Sequence, residues 1–231
     1  MANPNLELLV VASRLLRPLL GELVFVGGCA TGLLISDEGA GGVRPTFDVD
    51  AIAEVTSYAA YANFGERLRK LGFAEDSSKG APICRWQHGL IKLDLMPLDE
   101  KILGFSNRWY KSAMDSAQQR EIERDLHIRV VTAPYFCATK LEAFKGRGKG
   151  DYLSSHDLED LITLVDGRSE LLEELRASPE DVRSHIADTI GQLLKTKKFI
   201  DALPGYLLPD AASQGRIGVV LARLSEISKL S

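Results

Sequence analysis

Two hydrophobic periodicities follow one another along the chain. Short apolar runs of β-forming residues, some with alternating polarity, predict strands over 23–26, 46–52, 83–86, 90–96 and 128–131. Helical spacing predicts helices over 6–20 and 58–71, and then over 134–144, 156–165, 169–177, 179–203 and 213–230. The pattern therefore predicts a mixed α+β fold: a small mixed β-sheet flanked by helices, followed by a mainly helical C-terminal region. The boundary is expected to divide residues 1–126 from residues 127–231.

Glycine marks the end of the first predicted strand. Gly27 and Gly28 follow its apolar run directly, and they predict a tight turn there. Because glycine has no Cβ, backbone N–H groups at such a turn can approach a phosphate closely, above all where a helix begins just after it.

Composition and cysteine usage describe a protein that needs no covalent cross-links. Of 231 residues, 45% are apolar, which is enough to bury a core. The odd number and wide spacing of Cys29, Cys84 and Cys137 fit neither a disulfide framework nor a zinc site. A reducing compartment, the cytoplasm, is therefore expected. The apolar run 6–20 is interrupted by charges and is too short to span a bilayer, so no membrane partner is expected.

Acidic residues exceed basic ones only in the first part of the chain. The net charge is −4, and the first 100 residues carry 9 basic against 13 acidic side chains. That balance argues against a strongly basic nucleic-acid-binding protein. It also concentrates negative charge where the carboxylate motif lies.

Three aspartates form the candidate chemical site. Asp48 and Asp50 are one residue apart on a predicted strand, so their side chains point to the same face. Two carboxylates this close are costly unless a cation lies between them, and Mg²⁺ or Mn²⁺ is the expected partner. Asp94, on the predicted strand 90–96, is expected to complete the metal site or to accept the proton of an attacking hydroxyl.

The glycine turn, the Asp-x-Asp pair and the third acid together resemble the polymerase-β-type nucleotidyltransferase superfamily. Residues 44–50, 140–147 and 156–161 are similar to motifs of its AbiEii-type branch, which includes toxin components of toxin–antitoxin systems. The resemblance covers about residues 23–165. The chain departs from it in two places: Gly28 stands where many members have serine, and about twenty residues separate Gly28 from Asp48.

The resemblance implies a metal-dependent enzyme that moves a nucleoside monophosphate from a nucleoside triphosphate to a hydroxyl acceptor. Asp48, Asp50 and Asp94 would then hold Mg²⁺ or Mn²⁺. The C-terminal region would complete the nucleotide site, with Asp157 in a catalytic or supporting role and Asp160 in an ion pair or cap. The expected nucleotide-binding residues are Gly27, Gly28, Arg44, Lys140 and Arg147.

Several functions stay open at the level of sequence. The acceptor could be RNA or tRNA, a protein side chain or a small hydroxylated molecule, and no residue is tied to a nucleobase by spacing. A toxin that works with an antitoxin partner is one alternative role. A non-catalytic nucleotide-binding module and an antibiotic-type adenylyltransferase are the others.

Overall fold

The computed structural model describes residues 4–37, 39–148 and 150–230. These residues form the predicted mixed α+β fold, with one seven-stranded sheet and a helical C-terminal region. The strands are β1 (Leu23–Val26), β2 (Val49–Ala53), β3 (Ala74–Glu75), β4 (Arg85–His88), β5 (Ile91–Met96), β6 (Gln118–Glu123) and β7 (Leu126–Val130). The first helices are α1 (Leu6–Leu15), α2 (Gly27–Leu34), α3 (Tyr58–Lys70), α4 (Glu100–Leu103) and α5 (Tyr110–Asp115).

The remaining helices follow the last strand. They are α6 (Ala133–Arg147), α7 (His156–Gly167), α8 (Leu171–Ala177), α9 (Glu180–Leu194), α10 (Lys197–Ala202), α11 (Ala211–Gly215) and α12 (Ile217–Ile227). Two 3-10 helices, Arg17–Glu22 and Leu203–Tyr206, connect neighbouring elements. None of the helices within the described ranges combines the length and apolar character that a bilayer crossing requires.

The sheet has the strand order β3-β4-β5-β2-β1-β7-β6. Its centre combines antiparallel pairing of β1 with β2 and parallel pairing of β2 with β5 and of β1 with β7. The outer pairs, β3 with β4, β4 with β5 and β6 with β7, are antiparallel. All four residues of β1 are buried, as expected for a strand covered on both faces.

The chain divides into two compact units. The sheet unit contains Pro4–Gly32 and Pro45–Thr132, and the helical unit contains Leu33–Arg44 and the chain from Ala133 onward. All seven strands of the described sheet belong to the sheet unit. The predicted boundary after residue 126 would fall inside β7, which is paired with both β1 and β6.

One face of the outer sheet is packed against α3. Trp86 on β4 reaches this helix at Gly65, where an added Cβ would lie only 2.9 Å from the indole ring. Trp86 is paired with Leu93 on β5, and Leu93 with Val49 on β2, so these apolar side chains share that face. Since side chains alternate along a strand, the neighbours of these residues point to the opposite face.

The helical unit incorporates a segment from early in the chain. The N–H group of Asp37 donates to the carbonyl of Gly167 at the end of α7, at 2.9 Å. Arg216 donates to the carboxylate of Asp37 at 2.8 Å. An added Cβ at Gly167 would lie 2.8 Å from Ile35, which shows how closely the two segments pack. Residues 36–45, apart from residue 38, which lies outside the described residues, are thus hydrogen-bonded over part of their length to α7 and to Arg216, the residue before α12.

Several elements differ from the sequence-based prediction. The helix after the first strand begins at Gly27 itself, not after a separate turn. The predicted helix over 179–203 is two helices, α9 and α10, with a 3-10 turn after them. The strand β6 and the short helices α4 and α5 were not predicted, and β2 begins at Val49, so Asp48 lies just before it.

Candidate functional site

A row of charged side chains crosses one face of the outer sheet. Asp50 on β2 is the register partner of Asp94 on β5, and Asp94 is the register partner of Arg85 on β4. Cross-strand partners project from the same face of a sheet. Asp48, two residues before Asp50, is linked to the same row through Arg85. The row therefore lies on the face opposite to Trp86 and α3.

Arg85 holds two of the three predicted metal ligands. Its Nε and Nη2 donate to the two oxygens of Asp94 at 2.7 and 2.8 Å, which is a bidentate pair. The same Nη2 donates to Oδ2 of Asp48 at 2.7 Å. Oδ1 of Asp48 accepts a hydrogen bond from the hydroxyl of Thr46 at 2.8 Å. Each of the four oxygens of Asp48 and Asp94 therefore has a donor from the protein.

This ion-paired group is largely withdrawn from solvent. The side chains are 15% exposed for Arg85, 11% for Asp94 and 31% for Asp48. The hydrogen bonds to Asp94, with the charges of both aspartates, raise the pKa of Arg85 well above its ordinary value, against the opposing effect of burial. The guanidinium is thus a permanent cation in this place.

Gly27 is fitted against the carboxylate of Asp50. Its φ of +67° lies in the left-handed region that favours glycine. A Cβ added there would lie 2.0 Å from Oδ2 of Asp50, so no other residue could occupy this position without displacing the aspartate. Val26, the residue before it, is the register partner of Asp50. The N-terminus of α2 and the carboxylate row are therefore immediate neighbours.

Asn5 connects the glycine turn with the segment before Asp48. Its buried side-chain amide donates to the carbonyl of Gly28 at 3.2 Å and accepts from the N–H group of Thr46 at 2.9 Å. Thr46 in turn holds Asp48. One side chain thus fixes the spacing between the start of α2 and the aspartate pair, although about forty residues separate Asn5 from Thr46 in sequence.

The carboxylate oxygens on this face of the sheet are of the chemical type that binds a divalent cation. Carboxylate oxygens are the ligands that Mg²⁺ and Mn²⁺ prefer. A cation, the guanidinium of Arg85, is already bound between two of these carboxylates. As they stand, however, no three acidic, histidine or cysteine side chains in the described ranges are grouped closely enough to hold a metal ion. Asp48 and Asp94 are instead engaged by Arg85.

A second charged cluster lies in the helical unit. Nζ of Lys140 on α6 lies 2.5 Å from Oδ2 of Asp160 and 3.4 Å from Oδ1 of Asp157, both on α7. All three side chains are buried. Arg44 contributes from the early segment, at 3.5 Å from Asp160. The expected ion pair of Asp160 is present, and Lys140 is its partner.

Asp157 accepts a bidentate pair from Arg147, at 2.8 and 2.9 Å. Burial acts to raise the pKa of Asp157, but the hydrogen bonds from Arg147 and the charge of Lys140 outweigh it, so the pKa is lower than usual. Asp157 is therefore held as a carboxylate, and it is not poised as an acid. The side chain of Arg147 is 73% exposed, so this cation also faces solvent.

Two of the buried cysteines, Cys84 and Cys137, are not activated thiols. Burial raises the pKa of Cys84 to about 12, and the negative charges of Asp94 and Asp50 act in the same direction. Burial likewise raises the pKa of Cys137 to about 12. Cys29 is fully buried, with its Sγ 3.1 Å from the carbonyl of Val26. Neither Cys84 nor Cys137 is therefore suited to react as a nucleophilic thiolate.

The predicted site residues thus form two groups, one in each unit. The sheet unit holds Gly27, Gly28, Asp48, Asp50 and Asp94, and the helical unit holds Arg44, Lys140, Arg147 and Asp157. Sequence reasoning missed three residues of the first group, namely Arg85, Thr46 and Asn5. The alternation of β4 could have indicated Arg85, because it places Arg85 opposite to the buried Trp86. Nothing in the sequence ties Asn5 to Gly28.

Comparison with known proteins adds little to this geometry. No family model and no curated protein matches the sequence. Among solved structures, the crystal structure of JHP933 from Helicobacter pylori aligns with 95% of this chain and 91% of that chain. The TM-score is 0.47 and the sequence identity is 13%. A similarity this distant carries no functional argument, so the case for function has to come from the site.

Proposed function

We propose that the protein is a nucleotidyltransferase, which moves a nucleoside monophosphate from a nucleoside triphosphate to a hydroxyl acceptor. The observation that carries the proposal is the contact between Gly27 and Asp50, with Asp94 and Asp48 beside it on the same face. This contact brings a helix N-terminus that carries no side chain next to three carboxylates. The helix N-terminus is suited to bind the triphosphate, and the carboxylates are suited to bind the metal ion.

The transfer reaction assigns a task to each part. The acceptor oxygen forms a bond to the α-phosphorus, the bond to pyrophosphate breaks, and the hydroxyl proton passes to an aspartate. Backbone N–H groups at the start of α2 bind phosphate oxygens, since α2 begins at Gly27. Mg²⁺ or Mn²⁺, held by Asp48, Asp50 and Asp94, would supply positive charge to the triphosphate and the attacking oxygen. On the resemblance alone, Arg44, Lys140 and Arg147 are further triphosphate contacts, supported by Asp157.

An exposed aromatic ring lies next to these carboxylates. Phe47, between Thr46 and Asp48, is 82% exposed. An apolar ring left in solvent beside a polar site is suited to stack on a nucleobase, and such stacking tolerates every base. Phe47 is therefore the proposed base contact, and we expect little preference among the four nucleoside triphosphates.

The decisive experiment offers the purified protein each labelled nucleoside triphosphate together with total RNA, cell protein or small-molecule extract. With Mg²⁺ or Mn²⁺ we expect label in one of these fractions. Asp50→Asn should abolish the transfer. Asp115→Asn, which removes a carboxylate from an exposed ion pair on α5, is the matched control and should retain it.

The labelled fraction decides among the acceptor classes. If expression of the protein also arrests growth, and Asp50→Asn does not, the same activity has a toxin role that needs an antitoxin partner. Triphosphate binding that needs no metal and survives loss of both Asp48 and Asp50 would contradict the proposed mechanism. It would favour a nucleotide-binding module without transfer activity.

A further inference from the structure

Arg85 occupies the oxygens that a divalent cation would need. We propose that Arg85 is a built-in competitor of that cation: it holds Asp48 and Asp94 in the ion-free protein and must release them before a divalent ion binds. The proposal rests on the proposed function, because it concerns the same carboxylates. It adds a residue that the sequence motifs do not contain and a step that precedes nucleotide transfer.

The first argument is the number of donors. Both oxygens of Asp94 accept from Arg85, and the two oxygens of Asp48 accept from Arg85 and Thr46. A divalent ion bound to these carboxylates would lie within a few ångströms of the guanidinium. Two cations so close together in a half-buried place repel strongly. The ion and the guanidinium therefore cannot both have full use of the same pair of aspartates.

The second argument is the balance of charge. Asp48, Asp50 and Asp94 bring three negative charges to one face, and Arg85 neutralises only one of them. A divalent ion carries twice the charge of the guanidinium and can therefore compete with it for these oxygens. Arg85 thus lets the carboxylates stay together without metal, at the cost of weakening the metal site.

The third argument is the position of Arg85 in the sheet. β3, on the outer side of β4, pairs with β4 only at Trp86 and Gln87. Arg85 is the first residue of β4, and its backbone is held independently of its side chain: its carbonyl accepts from the N–H group of Asp76 and its N–H group donates to the carbonyl of Pro82, both at 3.0 Å. An arginine side chain has many rotamers, so it can turn away there without disturbing the strand pairs of β4 with β5.

The test measures metal binding and needs no transfer reaction. Mn²⁺ is titrated into the protein and its free fraction is followed by electron paramagnetic resonance. Arg85→Met should bind Mn²⁺ more tightly than the wild type by roughly tenfold, the factor that corresponds to one lost charge-assisted interaction. Arg69→Met is the matched control. Arg69 lies over Trp86 on the opposite face, so its loss changes the net charge equally but should leave the Mn²⁺ affinity unchanged.

Two outcomes would overturn the proposal in distinguishable ways. If Arg85→Met binds Mn²⁺ as the wild type does, or more weakly, Arg85 is no competitor, although Asp50-dependent transfer could still be observed. If neither protein binds Mn²⁺, with or without a nucleoside triphosphate, these carboxylates form no metal site. The proposed function then fails together with the inference.

A measurement on the wild type covers the case in which Arg85→Met does not fold. The Nε–H signal of Arg85 is assigned in a nitrogen–proton spectrum by its disappearance in Arg85→Lys. In the ion-free protein it should exchange slowly with water, because it donates to Asp94 at 2.7 Å. Saturating Mg²⁺ should shift the signal and speed its exchange. A signal that Mg²⁺ leaves unchanged would overturn the proposal.

Discussion

At the scale of single residues, Gly27 is under two independent constraints. Its positive φ would cost a residue with a side chain about 1–2 kcal/mol. The 2.0 Å approach to Asp50 adds a steric conflict that only movement of the carboxylate can relieve. We therefore expect Gly27→Ala to lower the free energy of unfolding by about 3 kcal/mol, measured by urea denaturation, and to abolish nucleotide transfer.

Gly89 provides a matched control for this substitution. It has a φ of +58° in the turn between β4 and β5, and an added Cβ would meet no atom within 4 Å. Gly89→Ala should therefore show the backbone cost without the steric one, and transfer should persist. Equal losses of stability in the two variants would show that contact with Asp50 does not constrain position 27.

Lys140 is the residue whose removal should cost most in the helical unit. Its ammonium is buried with Asp157 and Asp160, and a buried charge left without its partner is strongly unfavourable. Lys140→Met should lower the free energy of unfolding by about 3 kcal/mol. Adding Asp160→Asn to this variant should recover part of the loss, because it removes the carboxylate that has lost its nearest cation.

The comparison for Lys140 is Lys111, which forms an exposed ion pair with Asp115 one helical turn away. Lys111→Met should cost less than about 1 kcal/mol. Both variants lose one positive charge and gain an apolar side chain. A similar cost in the two would mean that burial of the Lys140 cluster contributes nothing to stability.

At the scale of elements, the ion pairs between α6 and α7 should make their packing sensitive to acid. The pKa of Asp157 is lower in the folded protein than in the unfolded chain. Its contribution to stability is therefore complete above the unfolded value of about 4 and is lost as the pH falls through the folded value. Asp157→Asn lacks this contribution at every pH.

The stability difference between wild type and Asp157→Asn should thus be large at pH 6 and shrink towards pH 3. Urea denaturation at both pH values measures it. A difference that stays constant, or grows in acid, would mean that Asp157 does not titrate below its ordinary range.

Elements with a strong periodic signal were predictable, and weakly apolar ones were not. The strand over 23–26 and the helix beginning at Tyr58 agree with the pattern, because their apolar residues face a core. β6 has no such signal: it is an edge strand of mostly polar residues, held by pairing with β7. Tertiary pairing supplied what its own sequence does not indicate.

The same distinction between local sequence pattern and tertiary pairing applies to the residues of the candidate site. The aspartates follow from motif spacing, and the shared face of Asp50 and Asp94 follows from the alternation of strands. The role of Arg85 requires knowledge that β4 and β5 pair in a particular register. Register depends on contacts distant in sequence, and for this reason the cation among the acids was missed.

At the scale of the whole molecule, the segment Leu33–Arg44 connects the stability of an early stretch of chain to helices formed much later. Arg216 links Asp37 with Asp166 through hydrogen bonds of 2.8 and 2.7 Å. Arg216→Met should therefore speed amide hydrogen exchange in this segment, measured by mass spectrometry, while exchange in β1, β2 and β5 stays slow.

Arg176→Met removes an exposed arginine that pairs with Glu173, and it should leave the exchange of the segment unchanged. Faster exchange throughout the chain in Arg216→Met would point to global destabilisation. Unchanged exchange would show that Arg216 does not anchor the segment.

The placement of this segment also sets an order of events on the ribosome. The 88 residues from 45 to 132 are synthesised between Arg44 and the first residue of α6. At ordinary elongation rates that takes roughly 4 to 18 s. The segment Leu33–Arg44 must wait through this interval without its helical partners, and every strand of the described sheet has been made by the end of it. The nascent chain therefore has time to complete the sheet first, and the helical unit can close only after release of the C-terminal helices.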